Sequence, residues 1–506
     1  MRVQLRSPGA KKSARLDAPS ATRRAAEGSA NAVLINPSMQ MTTDLTHLSI
    51  AAAGKMLRAR EISPVELVDA FLARIERVDA RIKSYLLVTA EPARAHAKDA
   101  EAQIMAGGWR GPLHGIPYGA KDIFYSKGLR TCANSRVLMQ QVPDHDAAII
   151  EKLHAAGAIL LGKLNTWEYG TGLGLVYHDA AFAHSTNPWK EDCFTGGSST
   201  GSGAAVAAGT AMFALGADTG GSIRLPAAGC GIAGLKPSYG RVSRHGILPN
   251  CWSLDVAGPM TWTVEDCALV LQAIAGFDAR DPASADVPVP DYLRGLGDGV
   301  RGLSIGIVRD IGHCVPIDPA ILAGIDDVAS VLAAAGAHVV PIVLPGSPQT
   351  YRQVTTLITG PERASAHERD FIAHGNRMGR ELRDSIMAGL AARAVDYLAA
   401  QRRRGELAAA VDAVVAGVDA VLLPCTLHTA PPASDADKVK AFMSDSMTTI
   451  FNISGHPALS IRTGFDANGL PTGAQIAGRY FDEATVLRVG HAYERARRWH
   501  ERRPVL

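Results

Sequence analysis

Three side chains in this 506-residue chain have the types and spacing for nucleophilic chemistry: Ser198, Ser222 and Lys121. The serines sit in two glycine-serine stretches, Gly196-Gly197-Ser198-Ser199-Thr200-Gly201-Ser202-Gly203 and Asp218-Thr219-Gly220-Gly221-Ser222-Ile223-Arg224. Glycine lets a backbone approach a ligand closely and reach positive φ. Successive N–H groups in such a turn converge into an anion-binding nest. A nest beside a serine hydroxyl can serve as an oxyanion hole next to a nucleophile. Neither stretch is a phosphate cradle of the Gly-x-x-x-x-Gly-Lys-Ser/Thr kind, because neither has the lysine. Nor does Gly221-Ser222-Ile223 fit the Gly-x-Ser-x-Gly elbow. A glycine-rich loop alone is most often only a turn, so the chemistry requires a base.

Gly115-Ile116-Pro117-Tyr118-Gly119-Ala120-Lys121-Asp122 offers one. Glycine and proline from Gly111 to Pro117 mark a turn into a short strand, with Lys121 near its end. Most lysines are solvated surface charges. Tyr118, Ala120, Ile123 and Phe124 around this one are mostly apolar and argue for burial. Burial disfavours the charged form, and a neutral amine is a base. On a strand, the adjacent Asp122 points to the opposite face.

These three segments, in this order, resemble the amidase signature family, whose site uses two serines and a lysine. Ser198 and Ser222 are 24 positions apart, which matches the family's spacing. The resemblance covers roughly residues 45–500. It implies an α/β fold: one large domain with a central twisted mixed β-sheet covered by helices on both faces. It also implies a cis peptide bond before Ser198. The expected activity is an amidohydrolase cleaving a C–N bond of a small amide, carbamate or ureido compound. Ser222 attacks the carbonyl, Ser198 takes its proton, and Lys121 takes the proton of Ser198. Backbone N–H groups of Thr219, Gly220, Gly221 and Ser222 hold the oxyanion, and water then hydrolyses the acyl-enzyme. Ser199, Asp218 and Arg224 are expected to fix the loops. Thr195 and Thr200 stand where the family often has proline and glycine, and neither change removes a reacting group.

No metal or cofactor is expected, and His178 and His184 lack metal-ligand spacing. Trp167, Tyr169, Trp252 and Phe451 are candidates for the substrate pocket, although core packing suits Trp167 and Tyr169 equally. The expected partners are a small-molecule amide and water, with a homodimer compatible and neither nucleic acid nor membrane expected. The alternative within the family is the glutaminase (A) subunit of a tRNA-dependent amidotransferase. Against it, Ile386-Met387-Ala388-Gly389-Leu390 stands where that subunit carries a tyrosine-rich Ser-Ala-Gly-Tyr-Tyr segment. A non-catalytic scaffold is disfavoured by the intact Lys121, Ser198 and Ser222.

Composition supports a globular enzyme. Apolar residues make up 47%, charged residues 20%, and the net charge is only +3, which gives no argument for nucleic acid. The seven cysteines are odd in number and contain no Cys-x-x-Cys, which suits a reducing compartment such as the cytoplasm. No apolar run is long enough to span a membrane.

The elements that must position the site follow from local patterns. Residues 1–40 are basic, acid-poor and weakly apolar, and read as a disordered extension. Residues 41–506 then form the domain, with a catalytic core at about 107–276. Ser63-Pro64-Val65-Glu66 is a capping box with proline at the first helical position. Asp146 to Ala156 reads as helix and Ala158 to Leu161 as a buried strand. A further helix begins near Pro226, and Thr263-x-x-Asp266 caps another. Residues 277–300 read as a surface excursion. Leu303–Val308 and Ala337–Val343 are strands around a helix, a β-α-β unit. Residues 360–415 are helical and basic, and the run Gln401-Arg402-Arg403-Arg404 reads as a solvated helix face. Ala420–Leu423 is a buried strand. Asn468-Gly469 marks a tight hairpin, and the chain closes on an amphipathic helix from Glu483 through Val486, Val489, Tyr493 and Trp499.

Overall fold

In a computed structural model, described for residues 44–172, 179–309, 311–312 and 315–506, Pro117–Lys121 forms a strand with all five residues buried. It lies inside an eleven-stranded mixed sheet. In chain order the strands are β1 (Tyr85–Val88), β2 (Pro117–Lys121), β3 (Ile159–Leu164), β4 (Phe213–Asp218), β5 (Ala233–Lys236) and β6 (Val256–Thr261). They continue as β7 (Ser304–Ile307), β8 (His338–Pro341), β9 (Ala420–Pro424), β10 (Ala458–Phe465) and β11 (Pro471–Gly478). Their order across the sheet is β1-β3-β2-β4-β6-β5-β10-β11-β9-β7-β8. Every residue of β2, β3, β6, β9 and β11 is buried, as expected for strands covered by helices on both faces.

The sheet places the chemistry. β2 runs parallel to both β3 and β4. Lys121 ends β2 and Asp218 ends β4, so both emerge at the carboxyl edge of adjacent parallel strands. In open α/β sheets that edge is where ligands bind.

The helices follow their local signals. Ser63 accepts from the Glu66 N–H while Glu66 reaches back to the Ser63 N–H, and the helix Pro64–Ile82 follows. Thr263 caps Val264–Ile274. Ala148–Ala155 precedes β3. The unit β7–β8 is parallel around the helix Pro319–Ala334. β10 and β11 form an antiparallel hairpin, with Gly469 at φ +79° in its turn. The last helix spans Glu483–Arg497, and Trp499 begins a separate short turn.

Two expectations change. The helix after Ser222 begins at Arg224, not Pro226, which sits in its first turn. The segment 277–300 forms no strand or helix, but it is pinned down: Tyr292 is buried, and Asp281 is buried against Arg244 at 2.9 Å. The basic extension 1–40, Cys314 and His178 lie outside the described residues. The six described cysteines are buried free thiols. No helix among the described residues is long and apolar enough to cross a membrane.

Candidate active site

The Ser198 loop enters the helix Thr200–Ala208, which is buried along its whole length. Its small side chains answer a steric demand. A Cβ on Gly201 would come within 2.4 Å of both the Asn165 N and the Ser84 carbonyl oxygen, which are backbone atoms that cannot swing aside. The helix therefore packs backbone to backbone, and its N-terminus delivers Ser198 beneath β2. The peptide bond Gly197–Ser198 is cis, as the resemblance implied. Lys121 Nζ is 2.8 Å from Ser198 Oγ, and both residues are buried. Burial lowers the Lys121 ammonium from 10.5 to about 7, although Asp255 and Asp218 pull it back toward the charged form.

Asp122 takes the opposite face, as the strand alternation required. It accepts from the N–H groups of Cys132 and Ala133 and lies 3.5 Å from Lys163 Nζ. That leaves the Lys121 amine without a carboxylate in salt-bridge contact among the described residues.

Asp218 organises the second loop. Its carboxylate accepts from the N–H of Gly221 at 2.7 Å and of Ile223 at 3.1 Å, and it takes a fork from Arg224 at 3.0 Å on each oxygen. Burial alone would raise the Asp218 pKa, but Arg224 and Asn452 hold it well below the usual carboxylate range. Arg224 is fully buried and also donates to the Thr448 carbonyl, the Gln475 amide oxygen and the Asn452 amide oxygen. The Ser222 loop is thus clamped from the far end of the chain. The clamp also bears on the N–H groups expected to hold an oxyanion. The Gly221 N–H is spent on Asp218, and the N–H groups of Thr219, Gly220 and Ser222 are the ones left without a partner among the described residues. Thr219 is itself fixed through its hydroxyl, which donates to Asp255. Ser199 is buried and donates weakly to the Ala217 carbonyl at 3.4 Å.

A cleft of two lobes reaches these groups, and Gly170, Thr219 and Asn250 line both. The lobe touching Lys121 and Ser198 is about 20 Å³, enough for about one water, and is walled by Ile123, Ile247, Leu248 and Trp252. The lobe touching Ser222 is about 110 Å³ and includes Trp167, Leu225 and Met443. Trp167 and Trp252 therefore line the cleft as expected. Tyr169 does not. It adopts φ +54°, which turns its ring into the core, where the hydroxyl bonds Asp370 and the ring meets His367 edge-on. Phe451 does not either. It is buried with Cys251, Leu254 and Ile450, and its neighbour Thr449 faces the lobe instead. No group of three or more metal-ligating side chains is found among the described residues.

Sequence reasoning missed Asn452 and Gln475 as parts of the clamp, and it missed Arg352 and Arg363 at the Ser222 lobe. The arginines carried a signal. Arg352, Thr355, Thr356, Thr359 and Arg363 recur at helical spacing along Pro348–His374, a polar stripe on one face.

The fold and this cleft define an α/β enzyme acting on amide C–N bonds, and the chain belongs to the amidase signature family: the Amidase family model matches residues 66–487. Its relatives include the A subunit of glutamyl-tRNA(Gln) amidotransferase from Chloroflexus aggregans, 41% identical over 490 residues, which cover 92% of this chain and 99% of that one. Among solved structures it resembles the native peptide amidase of Stenotrophomonas maltophilia, at 30% identity and TM-score 0.80 over 90% of this chain and 98% of that one. It also resembles a protein of a vestigial complex tied to the origins of an s-triazine catabolic enzyme, at 30% identity and TM-score 0.83 over 89% of this chain and 98% of that one.

Proposed function

We propose that this enzyme hydrolyses an amide through an acyl-enzyme on Ser222. The observation that carries the reading is the buried 2.8 Å contact between Lys121 and Ser198. A serine hydroxyl is a weak nucleophile until a base takes its proton. A lysine lowered to about 7 is substantially neutral at neutral pH and can accept one. In the forward step the Ser222 oxygen bonds the carbonyl carbon as its proton passes to Ser198, whose own proton passes to Lys121. The carbonyl π electrons move onto oxygen, and the open N–H groups of Thr219, Gly220 and Ser222 receive that charge; one such donor is worth about 3–4 kcal/mol. Collapse breaks the C–N bond, and the relay returns a proton to the leaving nitrogen. Water then adds by the same route and releases the acid. Asp218 and Arg224 hold the oxyanion loop rigid throughout.

The comparisons favour a narrower second reading over the stand-alone hydrolase preferred from sequence. The relatives at 41% identity are named as the A subunit of glutamyl-tRNA(Gln) amidotransferase. In that role the hydrolysed amide is glutamine's, and the ammonia passes to a partner subunit that handles the aminoacyl-tRNA. The segment Ile386–Leu390 still differs from the tyrosine-rich stretch of that subunit. It lies at the end of the helix Arg380–Leu390 and lines neither lobe.

The test is ammonia or amine release by the purified chain from glutamine and from a panel of aryl and alkyl amides, with Ser222→Ala alongside. Ser222-dependent release from any of them supports the acyl-enzyme reading. Release from simple amides but not glutamine returns weight to the stand-alone enzyme.

A further inference from the structure

The lobe beside Ser222 is built unlike its neighbour. The lobe at Lys121 carries one arginine, Arg244, which is paired with Asp281 at 2.9 Å, whereas this one carries two arginines and a row of threonines from a single helix face. Arg363 is buried and Arg352 half-buried. Burying a guanidinium is costly unless a counter-charge meets it. Here the arginines spend only part of their donor capacity, and on neutral acceptors. Arg352 donates to the Met443 carbonyl at 2.9 Å, and Arg363 donates to the Asn250 amide oxygen at 2.8 Å and to the Ser385 hydroxyl. Neither lies within salt-bridge distance of a carboxylate among the described residues, although Asp445 acts on Arg352, and Asp255 and Glu381 on Arg363, from farther away.

Two more groups in the same wall are unpartnered. The Trp167 indole N–H and the Thr449 hydroxyl are buried and have no hydrogen-bond partner among the described residues. An indole N–H can only donate. Both residues line the lobe with Ser222. A cavity next to a nucleophile, with two guanidinium groups holding spare donors and an unused indole donor, is complementary to an anion. Arginine's planar fork matches a carboxylate in particular.

We propose that the lobe beside Ser222 binds a free carboxylate of the substrate, held between Arg352 and Arg363, so that the enzyme's amides are those of carboxylate-bearing acids. This rests on the acyl-enzyme reading, because it uses Ser222 to say which part of the cleft substrate occupies. It selects among amides without requiring a partner subunit. Glutamine and the mono-amides of short dicarboxylic acids fall in the class, whereas neutral aryl and alkyl amides do not.

The experiment uses the full chain carrying Ser222→Ala, so that binding is read without turnover. Calorimetric titration compares succinamate, glutaramate and glutamine with their methyl esters, which are neutral at the same position. The expected result is that at least one carboxylate binds roughly 10- to 100-fold more tightly than its ester, the range for one or two charge-assisted hydrogen bonds. That preference collapses on adding Arg352→Gln, and Arg363→Lys reduces it. Arg352 is the first choice because its side chain is only half-buried, and circular dichroism checks that each variant folds. Equal affinity for acid and ester, a preference for the ester, or silence from all three carboxylates overturns the proposal. The acyl-enzyme reading is judged separately, by Ser222-dependent release from any amide, neutral or carboxylate-bearing. It survives if neutral amides are hydrolysed while the carboxylates fail to bind, and it fails if no amide of either kind is hydrolysed.

Discussion

Lys121 Nζ and Ser198 Oγ, both buried, meet at 2.8 Å and join the end of β2 to the loop before the helix Thr200–Ala208. Burial has already moved the lysine to about 7. If the neutral amine is the base, kcat/KM climbs about tenfold per pH unit on the acid side, bends near pH 7 and is flat above it. A pH-rate profile from 5.5 to 9.5 checks this. A maximum near pH 5 contradicts it, because almost all of the lysine would then be protonated.

The same shift makes a stability prediction. The folded-state pKa lies below the ordinary 10.5, so the unfolded chain binds more protons between about pH 7 and 10.5, and stability rises with pH across that window. Lys121→Met removes this effect. It should abolish activity while stabilising the fold at pH 7 by about 1–3 kcal/mol, a gain that shrinks toward pH 10.5. Urea midpoints of both proteins at pH 7 and pH 10 measure it. A variant less stable at pH 7 than at pH 10, relative to the parent, has the wrong sign.

The clamp should be the costliest part of the site to break. Arg224→Met leaves Asp218 buried without its fork, and loss of one partner from a buried pair typically costs about 3–5 kcal/mol. Asp218→Asn keeps the shape and is the gentler probe. It should lower kcat more than it raises KM, because the loop holding the oxyanion donors loosens. A raised KM with kcat unchanged would assign Asp218 to substrate binding instead.

Gly201→Ala tests the packing of the Ser198 helix. The added Cβ would lie 2.4 Å from two backbone atoms, and such overpacking costs typically about 1–3 kcal/mol. Thermal unfolding reads it. A neutral substitution would mean that this helix is not seated as described.

The three side chains proposed to react were legible because each lies in a short contiguous pattern whose chemistry is local. Ser198 and Ser222 announce themselves by their glycines, and Lys121 by its apolar strand. The clamp was not legible as a unit, since Thr448, Asn452 and Gln475 come from more than two hundred residues away and only folding brings them to Arg224. The pocket aromatics show where side-chain type misleads. Trp167 and Tyr169 would share a face on a strand, but the backbone between them turns, and Tyr169 at φ +54° leaves the cleft. Phe451 is two residues along a short helix from Thr449, and that step is enough to swap cleft for core. Within the helical, basic stretch 360–415, the run Gln401-Arg402-Arg403-Arg404 reads as a solvated face, and Arg402 and Arg403 are exposed while Gln401 and Arg404 are half-buried. Arg363 at the start of that stretch points into the protein, and the separating signal was the threonines spaced between it and Arg352.

The central claim is that Ser222 carries the acyl group. The most direct measurement is mass spectrometry of the protein after brief reaction with an activated aryl ester and acid quench, followed by peptide mapping. The account predicts a single acyl adduct on the peptide holding Ser222, absent in Ser222→Ala and slowed in Lys121→Met. An adduct mapped to Ser198, or one that persists unchanged in Ser222→Ala, would contradict it.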